Sequence, residues 1–257
     1  MPSSRLAAAL VAALTSLLCA ASGASAATVD TSGGALRVVA APGEANALTV
    51  ALSGGILTVT DATMLTAGAG CTRPAPARVT CSAAGISTLD LRAGDGDDTL
   101  TVTANLPARL DGGDGDDDLY GGPAGDALVG GPGGDLLDGG GGRDVADYTA
   151  RTAPVSVDLD RADAVQGEAG EGDAIADDVE GVAGGDGDDV LDGDGNANAL
   201  AGGGGDDLLD GRGGADRLEG GDGTDTVDYS SRRTSVYVDL DGSADDGQSG
   251  EGDNVQP

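Results

Sequence analysis

The sequence predicts an all-β chain assembled from short repeats, and three observations carry that prediction. From Gly184 to Asp228 five consecutive nine-residue units fit Gly-Gly-x-Gly-x-Asp-x-U-x, where U is a large apolar residue. Their sixth positions read Asp189, Asn198, Asp207, Asp216 and Asp225, and their eighth positions Leu191, Leu200, Leu209, Leu218 and Val227, without a slip in phase. Upstream, residues 28–92 alternate apolar and polar side chains in short runs separated by Gly-Gly, the pattern of half-buried strands joined by tight turns.

Taken in chain order, the first segment is a leader. Arg5 opens a positive region, Leu6 to Ala21 form an apolar stretch, and Ala24-Ser25-Ala26 offers the small residues of a cleavage site. Residues 1–26 therefore read as a secretory signal peptide. The competing reading is an uncleaved anchor, for which the apolar run is short of the ~20 residues a bilayer needs. No later segment is apolar enough to span a membrane.

Residues 28–92 read as a small β region. Strands are expected at Ala35–Val39, Ala47–Leu52 and Ile56–Thr60, with Gly54-Gly55 turning the last two into a hairpin. The region is either a cap or a further stretch of the repeat architecture. Cys71 and Cys81 are the cysteines of the chain beyond the leader, ten residues apart. In an oxidising compartment they most simply pair as a disulfide, the alternative being two free thiols.

An isolated unit carrying Asp98 and Leu100 opens residues 93–160, followed by a first array with Asp117, Asp126, Asp135 and Asp144 at the sixth position. Leu119, Leu128, Leu137 and Ala146 stand at its eighth. Residues 161–183 connect this array to the second, which occupies 184–257. Each array ends in the same module: Asp144-Val-Ala-Asp-Tyr148, Arg151 and Val155-Ser-Val-Asp-Leu-Asp160 recur as Asp225-Thr-Val-Asp-Tyr229, Arg232 and Val236-Tyr-Val-Asp-Leu-Asp241. Gly170-Glu-Gly-Asp173 recurs as Gly250-Glu-Gly-Asp253, so that the chain reads as truncated or as once continuing beyond Pro257.

The repeat has a chemical logic. Glycines permit positive φ, so six residues can form a loop whose carbonyl oxygens converge, and the Asp completes an oxygen-rich spot. Calcium takes six to eight oxygen ligands of this kind, which zinc and copper do not prefer. The remaining x-U-x forms a very short strand that buries one apolar side chain per unit. Asp114, Asp186 and Asp222, at third positions, add carboxylates to the candidate ligand set of sixth-position residues. A disordered acidic linker would have the same composition, but it has no reason to return an aliphatic residue every ninth position.

These units resemble the glycine-aspartate nonapeptide of the RTX (hemolysin-type) repeat proteins. The resemblance implies a parallel β-roll, or β-solenoid, in which two units make one turn and Ca2+ sits between the loops of units i and i+2. Asp189, Asp207 and Asp225 would then line one edge, and Asn198 and Asp216 the other. About three inter-loop sites in the second array and about two in the first are implied. Departures grade the sites: Asn198 lacks the carboxylate, Ala124 replaces a glycine, and Arg212 displaces a second-position glycine where it offsets negative charge.

Charge follows the repeats. Residues 93–257 hold 41 acidic residues against 8 Arg, whereas residues 27–92 hold 4 of each. Without a cation such carboxylates repel, so folding is expected to be coupled to calcium. Nucleic acid is excluded as a partner because nothing here could neutralise phosphates. The chain has no His, Trp, Phe or Lys, which removes the usual general bases and sugar-stacking platforms, and no nucleophile-elbow or HExxH motif is present. The expectation is a secreted, non-enzymatic calcium-binding protein with a structural, adhesive or cell-surface role and surface or matrix components as partners. The alternative is a carrier or targeting module derived from an RTX exoenzyme.

Overall fold

A computed structural model describes residues 26–161, 166–240 and 242–256. The leader expected at residues 1–26 falls almost entirely outside them. Among the described residues there is no helix, and the chain is all-β, dominated by parallel pairing.

One 11-stranded sheet runs the length of the molecule. It starts with Leu65–Ala67 parallel to Ala27–Ser32, which pairs antiparallel with Ala35–Val39, then continues in parallel through Thr88–Asp95, Ala108–Asp114, Ala127–Val129, Val145–Asp147, Gly181–Ala183, Ala199–Gly204, Arg217–Asp222 and Asn254–Gln256. A second sheet carries Ala47–Ser53, Thr99–Val102, Asp118–Tyr120, Leu136–Asp138 and Ala174–Ile175 in parallel. A third carries Val155–Asp158, Val190–Asp192, Leu208–Asp210 and Thr226–Val227. Within the arrays each strand pairs with the one 18 residues on, as Leu110 with Leu128 and Leu191 with Leu209. Two nine-residue units therefore make one circuit.

This pairing explains the apolar column. Val38, Leu91, Leu110, Leu128, Ala146, Val182, Leu200, Leu218 and Val255 stand in register across the long sheet, all buried. Leu48, Leu100, Leu119, Leu137 and Ile175 form a matching column in the second sheet, and Val157, Leu191 and Leu209 in the third. Each circuit thus buries about two aliphatic side chains from its repeats, worth roughly 1.5–3 kcal/mol apiece. That is a thin core for the number of residues ordered, so the turns have to supply further cohesion.

At the N-terminal end, antiparallel hairpins join the parallel stack. Gly54 and Gly55, both at positive φ (58° and 77°), turn Ala47–Ser53 back onto Ile56–Thr60, the mirror-image turn that matches strand twist. Arg78–Ser82 and Cys71–Ala75 extend this sheet, and Cys71 faces Cys81 across the pair with their sulfurs bonded. Residues 35–39 and 47–53 pair directly with Thr88–Asp95 and Thr99–Val102, so this region is continuous with the repeats.

Residues 166–183 also lie within the stack. After Ala146 the chain lays down Val155–Asp158, folds back antiparallel through Gly167–Glu168, and returns Ile175 to the Leu137 column and Val182 to the Ala146 column. Val155, Val157 and Leu159 are buried beneath the second array, which pairs on this strand through Val190–Asp192.

Candidate metal-binding site

The sixth-position residue sits two places before each buried aliphatic, where the glycine turn meets the strand. Pleating puts the two side chains on the same face, so the carboxylate points inward, at the rim of the core. Asp98, Asp117, Asp126, Asp135, Asp144, Asp189, Asn198, Asp207 and Asp216 are all buried, and Asp225 is half-buried.

Stacking aligns these groups into rows. The Oδ1 atom of Asp117 accepts the backbone N–H of Asp98 at 2.8 Å, that of Asp135 accepts Asp117 N–H at 2.9 Å, and that of Asp173 accepts Asp135 N–H at 3.0 Å. A second row runs from Asp126, which accepts Ala108 N–H, through Asp144 to Glu180. The same sheet edge continues through Asn198, Asp216 and Asp253, with N–H to carboxylate distances of 2.9 and 3.0 Å. A third row joins Val155, Asp189, Asp207 and Asp225. The resemblance drawn from the repeats implies Asp189, Asp207 and Asp225 on one edge and Asn198 with Asp216 on the other, and these rows have that division.

The second carboxylate oxygen divides the sites. In Asp126 and Asp189, Oδ2 accepts the N–H of Gly122 and Gly185 in its own turn, at 2.6 and 2.8 Å. In Asp98, Asp117, Asp135, Asp144, Asp207 and Asp216 it is buried with no hydrogen-bond partner. A buried ionised oxygen without a partner is unfavourable, so burial pushes these carboxyls up: Asp117 and Asp144 to about 6, Asp135 and Asp216 to about 7. Neighbouring carboxylates add to the effect, Asp173 on Asp135 and Asp253 on Asp216. Each such oxygen calls for a proton or a cation.

The surroundings fit a hard cation. A Cβ on Gly130 would collide with Asp135 Oδ2, and one on Gly131, at φ 109°, with the carbonyl oxygen of Gly113 one circuit earlier. A Cβ on Gly112 would meet both Asp117 Oδ2 and the Gly130 carbonyl oxygen, and one on Gly184 both Asp189 Oδ2 and the Gly202 carbonyl oxygen. Carboxylate and backbone oxygens thus flank the same points, an all-oxygen set that suits calcium rather than a softer ion. Asn198 leaves no such orphan: its Oδ1 accepts Asp194 N–H at 2.8 Å and its Nδ2 donates to the Glu180 carbonyl at 3.3 Å.

The remaining candidates lie elsewhere. Asp114, Asp186 and Asp222 are exposed on the outer shoulder of the turns and outside the buried rows. An outer set of fifth-position carboxylates, absent from the sequence-derived ligand set, bonds from turn to turn instead: Asp97 accepts Asp116 N–H, Asp116 accepts Gly134 N–H, Asp188 accepts Asp206 N–H and Asp206 accepts Thr224 N–H, at 2.9–3.1 Å. Sequence reasoning also missed Asp173, Glu180 and Asp253 as row members. Their spacing two residues before Ile175, Val182 and Val255 is the signal that could have found them. In the last module Asp239, Asp245 and Asp246 bring one oxygen each within 4.8 Å of one another.

Arg212 takes up the charge role expected of it. Its guanidinium reaches Asp158 at 2.7 Å, Asp192 at 3.3 Å and Asp160 at 3.4 Å, across carboxylates that register pairing stacks on the outer face of the third sheet. No protein-family model matches this chain, and no curated protein matches it.

Proposed function

We propose that this protein is a secreted, non-enzymatic calcium-binding protein of the RTX-like β-roll type, in which Ca2+ binds between stacked glycine turns and completes folding. The observation that carries this reading is the set of buried Oδ2 atoms without hydrogen-bond partners at Asp98, Asp117, Asp135, Asp144, Asp207 and Asp216. A cation at these rows would neutralise the stacked carboxylates and supply cohesion between circuits whose shared core is narrow. Among the chain's own residues, the sixth-position carboxylates would hold the ion, and the glycine turns would present carbonyl oxygens to it.

Export supports the same reading, because sites of this class in extracellular modules bind calcium in the range of about 10⁻⁴ to 10⁻³ M. They would stay empty inside the cell and fill outside it, deferring folding until after secretion. A rigid acidic rod of this kind suits structural or adhesive duty at a cell surface or in a matrix.

Circular dichroism during a calcium titration tests the proposal. The expected result is a gain of β signal over the millimolar range, reversal by chelator, and a weaker response in the double variant Asp207→Ala/Asp225→Ala. A spectrum unchanged across millimolar calcium would rule the reading out.

A further inference from the structure

The rows of carboxylates do not all end alike. In the row Asp98, Asp117, Asp135, Asp173, the Oδ2 atoms of the first three have no partner, whereas that of Asp173 accepts the phenol O–H of Tyr148 at 2.7 Å. Tyr148 and Asp173 are both buried. Beside them the Arg151 guanidinium donates to the carbonyl of Gly131, a second-position glycine in a nonapeptide turn, and pairs with Glu171 at 2.8 Å in the next turn. Glu171 in turn accepts the N–H of Glu168 at 3.0 Å. One positive charge thus bridges a glycine carbonyl on one turn and a carboxylate on the next.

The same arrangement is built a second time. The Tyr229 hydroxyl donates to Asp253 Oδ2 at 2.9 Å, ending the row that contains the unpartnered Asp216. Arg232, whose side chain is 9% exposed, meets Glu251 at 2.9 Å, and Glu251 accepts Gln248 N–H at 2.7 Å. Here the arginine has no hydrogen bond to a turn carbonyl from Nε or Nη2, unlike Arg151, and its guanidinium carbon lies 5.4 Å from the Tyr229 ring centre. The second copy is the less complete of the two.

From this contrast we infer that each Gly-Glu-Gly-Asp turn is a metal-free staple, in which an arginine and a tyrosine perform the bridging that a divalent cation performs at the other seams. The inference rests on the calcium reading for the arrays and adds a division of labour to it. Asp173 and Asp253 need no cation, because a hydroxyl satisfies the oxygen that is orphaned in their row-mates. The first module, from Val145 to Ala183, stays folded when calcium is withdrawn, and the nonapeptide arrays assemble on it when calcium returns.

Hydrogen exchange read by mass spectrometry on the full chain, in chelator and in millimolar calcium, tests this. In chelator the wild-type amides of Val145–Asp147, Ala174–Ile175 and Gly181–Ala183 are expected to exchange at least about tenfold more slowly than those of Val190–Asp192 and Leu208–Asp210. Arg151→Gln and the milder Tyr148→Phe should each remove that difference, while calcium restores protection, because the vacated seam then takes an ion. Arg78→Gln, which removes an exposed arginine from the N-terminal hairpins, should change neither. Equal exchange of module and arrays in chelator would overturn the inference, as would retention of the difference in both variants or a loss that calcium does not repair. If the arrays themselves ignore calcium, the proposed function fails, and the contrast between wild type and variants in chelator still decides the staple.

Discussion

Replacing Asp135 by Asn separates the two ways of satisfying an orphaned oxygen. The Asn side chain keeps an Oδ1 acceptor for the Asp117 N–H, now 2.9 Å away, while its second atom becomes a neutral donor. Asn198 shows that a neutral amide is accommodated at a sixth position, turned the other way, with Oδ1 accepting Asp194 N–H of its own turn and Nδ2 donating to the Glu180 carbonyl one circuit earlier. In the metal-free fold, burial pushes the Asp135 carboxyl from 3.8 to about 7. At about 1.4 kcal/mol per unit the ionised group would destabilise the fold by roughly 4 kcal/mol, a ceiling that solvent access and relaxation lower to about 2 kcal/mol. Urea unfolding of the chelated chain at pH 7.5 should therefore show Asp135→Asn more stable than wild type by about 2 kcal/mol. The gain should shrink as pH falls from 7 toward 4, where the wild-type carboxyl protonates as well. If calcium binds as proposed, the order should reverse in saturating calcium, since the variant would lack a charged ligand. A variant that is no more stable than wild type in chelator, or that keeps the full calcium increment, would refute the reasoning.

Other outcomes follow from the same geometry. Asp117, Asp135, Asp144, Asp173 and Asp216 all have carboxyls raised by burial to about 6 or 7, so the metal-free fold binds more protons than the unfolded chain between about pH 4 and 7. Its stability should fall as pH rises through that window and level off above it, while calcium affinity rises with pH, both measurable by denaturation with and without chelator. Arg212 adopts φ 57°, a left-handed conformation that disfavours any side chain, and offsets it with three carboxylate contacts. Both Arg212→Ala and Arg212→Gly should lower the thermal midpoint in calcium, with Gly retaining about 1 kcal/mol more stability because only the contacts are lost. Gly131→Ala should be worse than either, since its Cβ meets the Gly113 carbonyl, and loss of β signal in circular dichroism would report it. Cys71→Ser/Cys81→Ser opens a short loop at the N-terminal hairpins and should cost about 3 kcal/mol in that region, read by hydrogen exchange of Ile56–Thr60 and Arg78–Ser82.

Much of the architecture was legible because it is local and periodic. A nine-residue unit with one inward aliphatic and one carboxylate two places earlier fixes which side chains stack, whatever surrounds them, and Leu191, Leu209, Asp189 and Asp207 stand where that period puts them. Gly54-Gly55 and the pair Cys71 and Cys81 were equally readable, since a two-glycine turn and a short cysteine spacing act over a few residues. The third-position residues Asp114, Asp186 and Asp222 look equivalent to ligands in the repeat, yet their place on the outer shoulder of the turn leaves them exposed.

By itself, then, the sequence determined the nine-residue period, its recurring aliphatic and aspartate positions and the acidic character of the arrays. Only the tertiary structure decided how those rows end. Asp173 joins Asp135 across 38 residues and Asp253 joins Asp216 across 37, distances that break the 18-residue step. The chain regains its register there by folding an antiparallel excursion, Val155–Asp158 against Gly167–Glu168 in the first module and Val236–Tyr237 against Gly247–Gln248 in the second. That closure depends on which edges remain free to pair, and a repeat pattern carries no information about free edges.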